Sequence, residues 1–247
     1  MIDFEDVHFE VDGARILKGI SLRIVEGETI VLLGRSGSGK TTALRMVNGM
    51  RMPTRGKVRV DGAETRSSDL VVLRRGIGYV IQDVGLFPHR TVAENIATVP
   101  KLLGWAAPRI TSRVDELLEE VGLPAASYRD RFPHTLSGGQ RQRVGVARAL
   151  AAEARLMLLD EPFGALDPIT RIEMQDLFLK LRDRHRFTSV FVTHDLHEAF
   201  RVGTRIALLQ DGALDTLADA AGFCRSTTPE AQAFLKTLLV NGGAELA

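Results

Sequence analysis

Apolar and polar residues alternate near the start of the chain in a way that predicts strands. Residues 3–11 alternate loosely and end at the turn Asp12-Gly13, and residues 16–24 continue in the same fashion. Residues 57–62 place valines between charged residues, as a strand with one solvated face does. We interpret these stretches as antiparallel strands, the first two of which lead into a buried strand.

Short, mainly apolar runs predict buried strands. They occupy residues 30–33, 77–81, 156–159, 189–193 and 205–209. Between them, residues 110–121 carry apolar side chains at the helical spacing. Because such strands alternate with helices, we predict an α/β fold with a mostly parallel sheet covered on both faces.

Capping residues predict where several helices begin and end. Thr91 and Glu94 form the pattern of a capping box, and Asp167 followed by proline is a favourable helix start. A last helix is predicted to begin at residues 228–230 and to close at residues 241–243. The buried side of the helix after Asp167 is expected to carry Ile169, Ile172, Leu177, Phe178 and Leu181.

Composition limits the classes of function. The chain has 247 residues, of which 45% are hydrophobic and 26% charged, and its formal net charge is +1. No bulk charge therefore attracts nucleic acid or a membrane surface. Cys224 is the only cysteine, so an intrachain disulfide is impossible and a reducing compartment is expected. The N-terminus lacks the features of a signal peptide, and no apolar run approaches the ~18 residues of a membrane span.

A glycine-rich segment between a predicted strand and a predicted helix is the most informative motif. Residues 34–41 match the pattern G-x-x-x-x-G-K-[ST], which binds phosphate in that context. The glycines let backbone N–H groups point at an anion, and the following helix adds partial positive charge. Lys40 is predicted to reach the β- and γ-phosphates of a nucleoside triphosphate, and the Thr41 hydroxyl to ligate Mg²⁺. The predicted nucleotide-binding residues here are Gly34, Arg35, Ser36, Gly37, Ser38, Gly39, Lys40, Thr41 and Thr42.

Two adjacent carboxylates follow the apolar run at 156–159. In a P-loop fold, Asp160 would hold Mg²⁺, and Glu161 would polarise the attacking water and accept its proton. The alternative is a polar turn that closes a strand. The presence of Lys40 and Thr41 in the same chain favours the functional interpretation.

A second glycine motif precedes another predicted helix. Residues 136–140 read Leu-Ser-Gly-Gly-Gln, and the helical pattern that follows makes this a second helix N-terminus suited to an anion. One triphosphate does not need two such anion-binding helix N-termini in one subunit.

Together these motifs resemble the nucleotide-binding subunit of ATP-binding cassette (ABC) ATPases. The family's motifs occur in its order and approximate spacing at residues 34–41, Gln82, residues 136–140, residues 160–161, residues 165–167 and His194. The resemblance covers nearly the whole chain. It implies a P-loop NTPase core with an N-terminal antiparallel β subdomain and a helical insertion. We therefore expect one domain over residues 1–247, with its core at 1–88 and 155–225, a helical signature subdomain at 89–154 and a C-terminal helix at 226–247.

The resemblance also implies roles for individual residues. Two copies of the chain would face head to tail, with Asp167 at the seam. The signature residues of one copy would close on the nucleotide of the other; they are Ser137, Gly138, Gly139 and Gln140. The implied catalytic residues are Glu161, His194 and Gln82, and the implied Mg²⁺ ligands are Thr41, Gln82 and Asp160. ATP and Mg²⁺ are the implied cofactors.

The position at which the family stacks an aromatic ring on adenine aligns best with Val11. Phe9, two residues earlier, would face the same side if the strand is regular. Either Phe9 substitutes for that ring, or adenine packs on Val11.

Residues 79–89 and 91–105 resemble the ATPases of importers for glycine betaine, choline, carnitine or proline. The implied partners are a separate permease docking near residues 82–89 and, indirectly, an external solute-binding protein. The expected location is cytoplasmic, peripheral on the inner face of the cell membrane. Many relatives carry a C-terminal regulatory domain, which we expect to be missing here because the chain stops at Ala247.

Two alternatives stay open at this point. One is a soluble ABC ATPase that works on nucleic acid or in complex assembly, and the other is an importer ATPase for another small solute. Against the first, the interval between the two glycine motifs is only 136 − 41 = 95 residues and contains no coiled-coil heptads. We expect no nucleic-acid partner.

Overall fold

The computed structural model describes residues 1–82 and 84–240 of the chain. Its backbone divides into two compact units. Unit 1 combines residues 1–70 with the segment from residue 188 onward, and unit 2 comprises residues 71–187. None of the helices in the described part of the chain combines the length and hydropathy that crossing a bilayer requires.

Unit 1 contains an antiparallel sheet in the order β2-β1-β4-β5. Its strands are β1 (Ile2–Val11), β2 (Ala14–Ile24), β4 (Arg55–Val60) and β5 (Ala63–Glu64). They form where the alternating pattern predicts antiparallel strands. The inward-facing Ile2, Phe4 and Val58 are buried, whereas the charged residues between them are more exposed.

Unit 1 also contains a mostly parallel group of strands. These are β3 (Thr29–Leu33), β8 (Thr188–Thr193), β9 (Arg205–Gln210) and β10 (Ala213–Ala218). Strand β3 lies between β8 and β9 and is parallel to both, while β10 is antiparallel to β9. Every residue of β3 and β8 is buried, which explains why both are mainly apolar rather than alternating between apolar and polar residues.

The helices of unit 1 follow these strands. They are α1 (Lys40–Val47), α9 (Leu196–Val202), α10 (Ala220–Cys224) and α11 (Pro229–Val240). Helix α1 ends at Asn48, which confirms the predicted C-cap. Helix α11 begins where the sequence predicts it, and its predicted close at residues 241–243 lies outside the described residues.

Unit 2 is mainly helical. Its elements are α2 (Leu70–Arg75, entered from unit 1), β6 (Ile77–Val80), α3 (Val92–Ile96), α4 (Thr98–Leu102), α5 (Ala107–Glu120), α6 (Ala125–Tyr128), α7 (Gly138–Leu150), β7 (Leu156–Asp160) and α8 (Pro168–His185). Strands β6 and β7 run parallel. The capping box at Thr91 and the cap at Asp167 are confirmed. The predicted α/β architecture, with parallel strands and a helical insertion, is therefore confirmed.

The predicted buried side of α8 is wrong at two positions. Leu177, Phe178 and Leu181 are buried, but Ile169 is 73% exposed and Ile172 is 51% exposed. At about 100° per residue, both isoleucines fall on the opposite face of the helix from that buried group. Met174 and Gln175 complete the buried face instead.

Candidate functional site

The glycine-rich segment forms a tight loop between the end of β3 and the start of α1. Gly39 is the N-cap of α1, with φ +99°, and it supplies no side-chain hydrogen bond to the first turn of the helix. A Cβ at Gly39 would lie 2.6 Å from Cδ2 of Leu17, and one at Gly34 would lie 2.4 Å from the carbonyl oxygen of Leu209. Both positions therefore require glycine.

Lys40 is only 4% exposed although it is charged. Its Nζ donates to the carbonyl oxygens of Gly34, at 2.7 Å, and Arg35, at 2.8 Å. The ammonium group is therefore held over the loop that it is predicted to serve. Carbonyl oxygens at these distances offset the cost of burying the charge.

Ser38 gives a direct test of whether the loop suits a phosphate group. Its backbone N–H donates to the carbonyl oxygen of Arg35 at 3.2 Å. Its Oγ, however, is buried and has no hydrogen-bond partner. A buried hydroxyl without a partner costs stability, and phosphate oxygens would satisfy it. Together with the uncapped start of α1, this residue fits a nucleotide's phosphates.

Unit 1 brings His194 to the same edge as the glycine loop. Leu33, the last residue of β3, pairs with Thr193, the last residue of β8. Gly34 and His194 therefore leave two neighbouring parallel strands at matching positions, and His194 is exposed there. Ligands of open α/β sheets bind at this carboxyl edge.

Phe9 and Val11 do not share one regular strand. The pairing of β1 with β2 shifts between Phe9 and Glu10, so the condition under which both side chains would face one side is not met. Phe9 is half-buried and pairs with Leu17, the residue whose side chain lies against Gly39, whereas Val11 is 44% exposed. The β-bulge, which sequence periodicity does not reveal, is the reason for this correction.

Unit 2 brings together predicted site residues at the ends of β6 and β7, namely Gln82 after β6 and the two adjacent carboxylates at the end of β7. Val80 pairs with Leu159, so the chain reaches Gln82 and Asp160 at the same edge. Asp160 is 6% exposed and accepts a 3.5 Å hydrogen bond from the Tyr79 hydroxyl. Glu161 is half-buried at φ +46°, a backbone conformation that is unusual for a residue with a side chain. Such outliers concentrate at functional sites.

The signature segment, residues 136–140, forms a capped helix start. Ser137 is the N-cap of α7: its Oγ accepts from the Gln140 N–H at 3.2 Å, and the Gln140 Oε1 accepts from the Ser137 N–H at 3.0 Å. Gln140 also donates from Nε2 to the Tyr128 hydroxyl at 3.1 Å. Gly138 has open space around its Cα, whereas a Cβ at Gly139 would lie 2.7 Å from Cγ2 of Thr170. The first turn of α7 is therefore rigid and partly exposed.

A cavity of about 340 Å³ in unit 2 brings further predicted residues together. Its lining includes Gln82, Gly138 and the segment at Ala165 and Leu166. Asp167 follows that segment and caps α8 by accepting from the Thr170 N–H at 3.0 Å. Hydrogen bonds from Thr170 hold the pKa of this carboxyl below its usual range. Asp167 is exposed, so it is available at a surface.

Sequence reasoning missed two residues that hold the segment after Gln82. Asn95, fully buried, accepts from the Phe87 N–H at 2.7 Å and donates to the carbonyl oxygens of Phe87, Arg90 and Thr91. The sequence did contain a signal for this role, since Asn95 lies between the apolar Val92 and Ile96. A polar residue on a buried helix face needs hydrogen-bond partners.

Arg148 is the second missed residue. It donates to the carbonyl oxygens of Val84 and Gly85, each at 2.7 Å. Burial lowers the pKa of its guanidinium. An arginine in the last turn of a predicted helix gives no sign of which loop it will reach, so no sequence signal was available.

Known proteins with similar sequences are ATP-binding components of transport systems. The family model for the ABC transporter matches residues 17–164. The choline transport ATP-binding protein OpuBA of Bacillus subtilis (strain 168) is 50% identical over 202 residues, which cover 82% of this chain and 53% of that protein. The glycine betaine uptake system ATP-binding protein YehX of Escherichia coli (strain K12) is 47% identical over 212 residues, 86% of this chain and 68% of that protein. The chain thus spans about half the length of OpuBA.

A solved structure extends the likeness to the fold. The dimeric, post-hydrolysis ATP-binding cassette MJ0796, bound to ADP and Pi, superimposes with a TM-score of 0.78 at 34% identity. The match covers 89% of this chain and 98% of that one. The family resemblance predicted from the motifs is confirmed, and this chain belongs to the ABC transporter family.

Proposed function

We propose that the chain is the ATP-hydrolysing subunit of an importer for a small osmoprotectant or quaternary amine. The observation that carries the ATPase proposal is the loop at residues 34–41, with its uncapped helix start, its buried Lys40 and its unpartnered Ser38 hydroxyl. The class of solute is proposed from relatives named for choline and glycine betaine transport. The solute need not touch this chain, so it is the part of the proposal that most needs a transport measurement.

The loop residues bind the nucleotide. Lys40 turns from the carbonyl oxygens of Gly34 and Arg35 to phosphate oxygens, while the Ser38 hydroxyl and the loop N–H groups donate. Phe9 or Val11 packs on the adenine. In this role Phe9 is favoured, because it pairs with the strand residue that lies against Gly39.

Glu161 acts as the general base. Its carboxylate accepts the proton of the attacking water, and His194 orients the same reaction from the end of β8. Thr41, Asp160 and Gln82 would hold Mg²⁺, which neutralises developing charge on the phosphates when it is bound. The hydrogen bond from Tyr79 supports this role for Asp160, because it fixes the direction of the carboxylate.

The signature segment serves the nucleotide of a second copy of the chain. The capping box already satisfies the Ser137 and Gln140 backbone N–H groups, which leaves the exposed glycine turn to face a partner. Asp167 lies at the seam of that ATP-closed, head-to-tail dimer. This proposal agrees with the dimeric form of MJ0796, which is stated for that protein.

The segment around Phe87 is proposed as the docking surface for a permease. Phe87 is 38% exposed, and Arg90 lies over its ring at 4.7 Å. Asn95 and Arg148 hold the segment's backbone, so this surface is preformed. Through the permease the chain would sit on the cytoplasmic face of the membrane, and a solute-binding protein would act on the other side.

Reconstituted transport tests the proposal. The chain, its cognate permease and its binding protein are assembled in vesicles, and uptake of radiolabelled choline and glycine betaine is measured with and without ATP. Uptake that requires ATP and is lost in the Glu161→Gln variant is expected. Uptake of neither solute would point to another small solute, and recovery of the chain with DNA or RNA instead of a permease would contradict the importer assignment.

A further inference from the structure

The ion pair between Arg35 and Glu230 joins the phosphate loop to the last described helix. Nε of Arg35 lies 2.7 Å from Oε1 of Glu230, and Nη2 lies 3.1 Å from Oε2. The Glu230 side chain is only 8% exposed, whereas that of Arg35 is 69% exposed. Hydrogen bonding to Glu230 raises the pKa of Arg35. A guanidinium held at two points fixes both the distance and the direction of the contact.

Arg35 also contacts the residues that are proposed to bind phosphate. Its backbone carbonyl oxygen accepts from Lys40 Nζ at 2.8 Å and from the Ser38 N–H at 3.2 Å. Any shift of residue 35 therefore moves an acceptor shared by the ammonium group and a loop amide. The side chain of the same residue is the one that Glu230 holds.

Glu230 is fixed from its own side. It lies in the first turn of α11, next to Ala231, which is fully buried. The residue before the helix, Thr228, donates from Oγ1 to the carboxylate of Asp215 in β10 at 2.6 Å. A cavity of about 350 Å³ opens beside the pair, lined in part by Ser36 and Gly37. Because that space is not filled by side chains, the ion pair is a direct link between α11 and this side of the loop.

We propose that Glu230 is a positioning residue for the phosphate loop. It acts through Arg35 and holds the carbonyl oxygen of residue 35, and with it Lys40 and Ser38, in the arrangement that receives the phosphates. Helix α11 thereby contributes to nucleotide affinity without touching the nucleotide. The inference rests on the proposed function in one respect, namely that the ligand of the loop is a nucleoside triphosphate.

Equilibrium titration of the full chain with MgATP tests the inference. Glu230→Gln and Arg35→Ala are each expected to weaken binding by roughly fivefold, because a loop that is no longer preorganised must be ordered on binding. The double variant should bind no more weakly than either single variant, since both remove one interaction. For Glu230→Gln, KM for ATP should rise with the dissociation constant, while kcat changes by less than about twofold.

A matched control removes another ion pair of unit 1. Asp3→Asn breaks the 3.5 Å contact of Asp3 with Arg23 in the antiparallel sheet and should leave the affinity for MgATP unchanged. Thermal melting of the nucleotide-free variants checks that they fold. If Glu230→Gln fails to fold, the affinity of Arg35→Lys for MgATP tests the same contact from its exposed partner. Lysine keeps the charge but loses the two-point contact.

The outcomes separate the inference from the proposed function. The positioning role would be overturned if Glu230→Gln bound MgATP with the affinity of the parent chain. If that variant is unfolded, parental affinity in Arg35→Lys would overturn it instead. In either case, ATP binding by the parent chain leaves the proposed function standing. Fully additive effects of the two single variants would overturn the positioning role as well. Failure of the parent chain to bind MgATP would remove both.

Discussion

Helices α1 and α7 both begin at glycine-containing segments, but their first turns are built differently. Helix α1 starts at Gly39, which has a positive φ and supplies no side-chain cap. Helix α7 starts at Ser137, which exchanges two hydrogen bonds with Gln140. The first helix start has no side-chain cap, whereas the second is capped by its own side chains.

The difference shows how two glycine-containing helix starts can serve two purposes. A helix start without a side-chain cap, following a glycine loop, suits direct binding of an anion within one chain. A helix start that caps itself is stable alone and presents a rigid surface. This comparison supports the proposal that residues 34–41 bind nucleotide directly, while residues 137–140 act on the nucleotide of a partner.

Lys40→Ala gives the largest expected effect at the uncapped start. Removing a buried, hydrogen-bonded charge should weaken MgATP binding by about 10²-fold or more. Equilibrium titration measures this, with Lys101→Ala on the exposed surface of α4 as the control. Unchanged affinity in Lys40→Ala would count against the whole assignment of the loop.

Glu161→Gln separates chemistry from binding, because neither helix start supplies the base. The variant should bind ATP normally, accumulate as a nucleotide-bound dimer and hydrolyse ATP at least ~10²-fold more slowly. Single-turnover hydrolysis and size-exclusion chromatography with ATP are the measurements. Hydrolysis at the parental rate would refute the role of Glu161.

Alanine at Gly39 and alanine at Gly138 should differ in their effect on the free energy of unfolding. Gly39→Ala forces a side chain into a positive φ and within 2.6 Å of Leu17, so it should lower the free energy of unfolding by roughly 1–3 kcal/mol. Gly138→Ala meets nothing closer than 4.0 Å and should be neutral or stabilising by up to about 1 kcal/mol. Urea unfolding of both variants provides the comparison, and equal losses would contradict it.

Ser137→Ala removes the side-chain cap of α7. It should lower the free energy of unfolding by about 1 kcal/mol and leave the binding of MgATP to a single chain unchanged. Ser127→Ala, at an exposed serine of α6, is the control for the substitution itself. Weaker binding to the isolated chain would mean that the signature segment contacts that chain's own nucleotide.

The cap of α8 adds a small, pH-dependent counterpart to the neutral cap of α7. Because Thr170 lowers the pKa of Asp167 in the folded chain, this carboxylate stabilises the fold above its unfolded-state pKa of about 3.9. That stabilisation is lost as the pH falls through the lower, folded pKa. Asp167→Asn should therefore lose less stability than the parent chain as the pH falls from about 5 through the unfolded-state value and below it, as measured by urea unfolding. An identical loss in both would contradict the charged cap.

The local parts of the site were predictable because local rules govern them. Residues 34–41 carry their own turn glycines, and Thr91 and Asp167 carry their own caps. The failures had two causes. The bulge after Phe9 has no local signature, because it depends on pairing with β2. Ile169 and Ile172 were assigned to the wrong face, although the helical spacing itself places them opposite the buried side of α8.

Apolar periodicity and glycine spacing act over a few residues, so the class of fold, the family and the phosphate-binding loop could be predicted from the order of residues alone. The contacts that hold that loop in place were visible only in the folded chain. The carboxylate of Glu230 reaches Arg35 from 195 residues away in the chain, and Asn95 and Arg148 select backbone carbonyl oxygens as partners. Contacts of that kind depend on three-dimensional proximity, because a hydrogen bond requires a short distance between two groups and not a pattern between them.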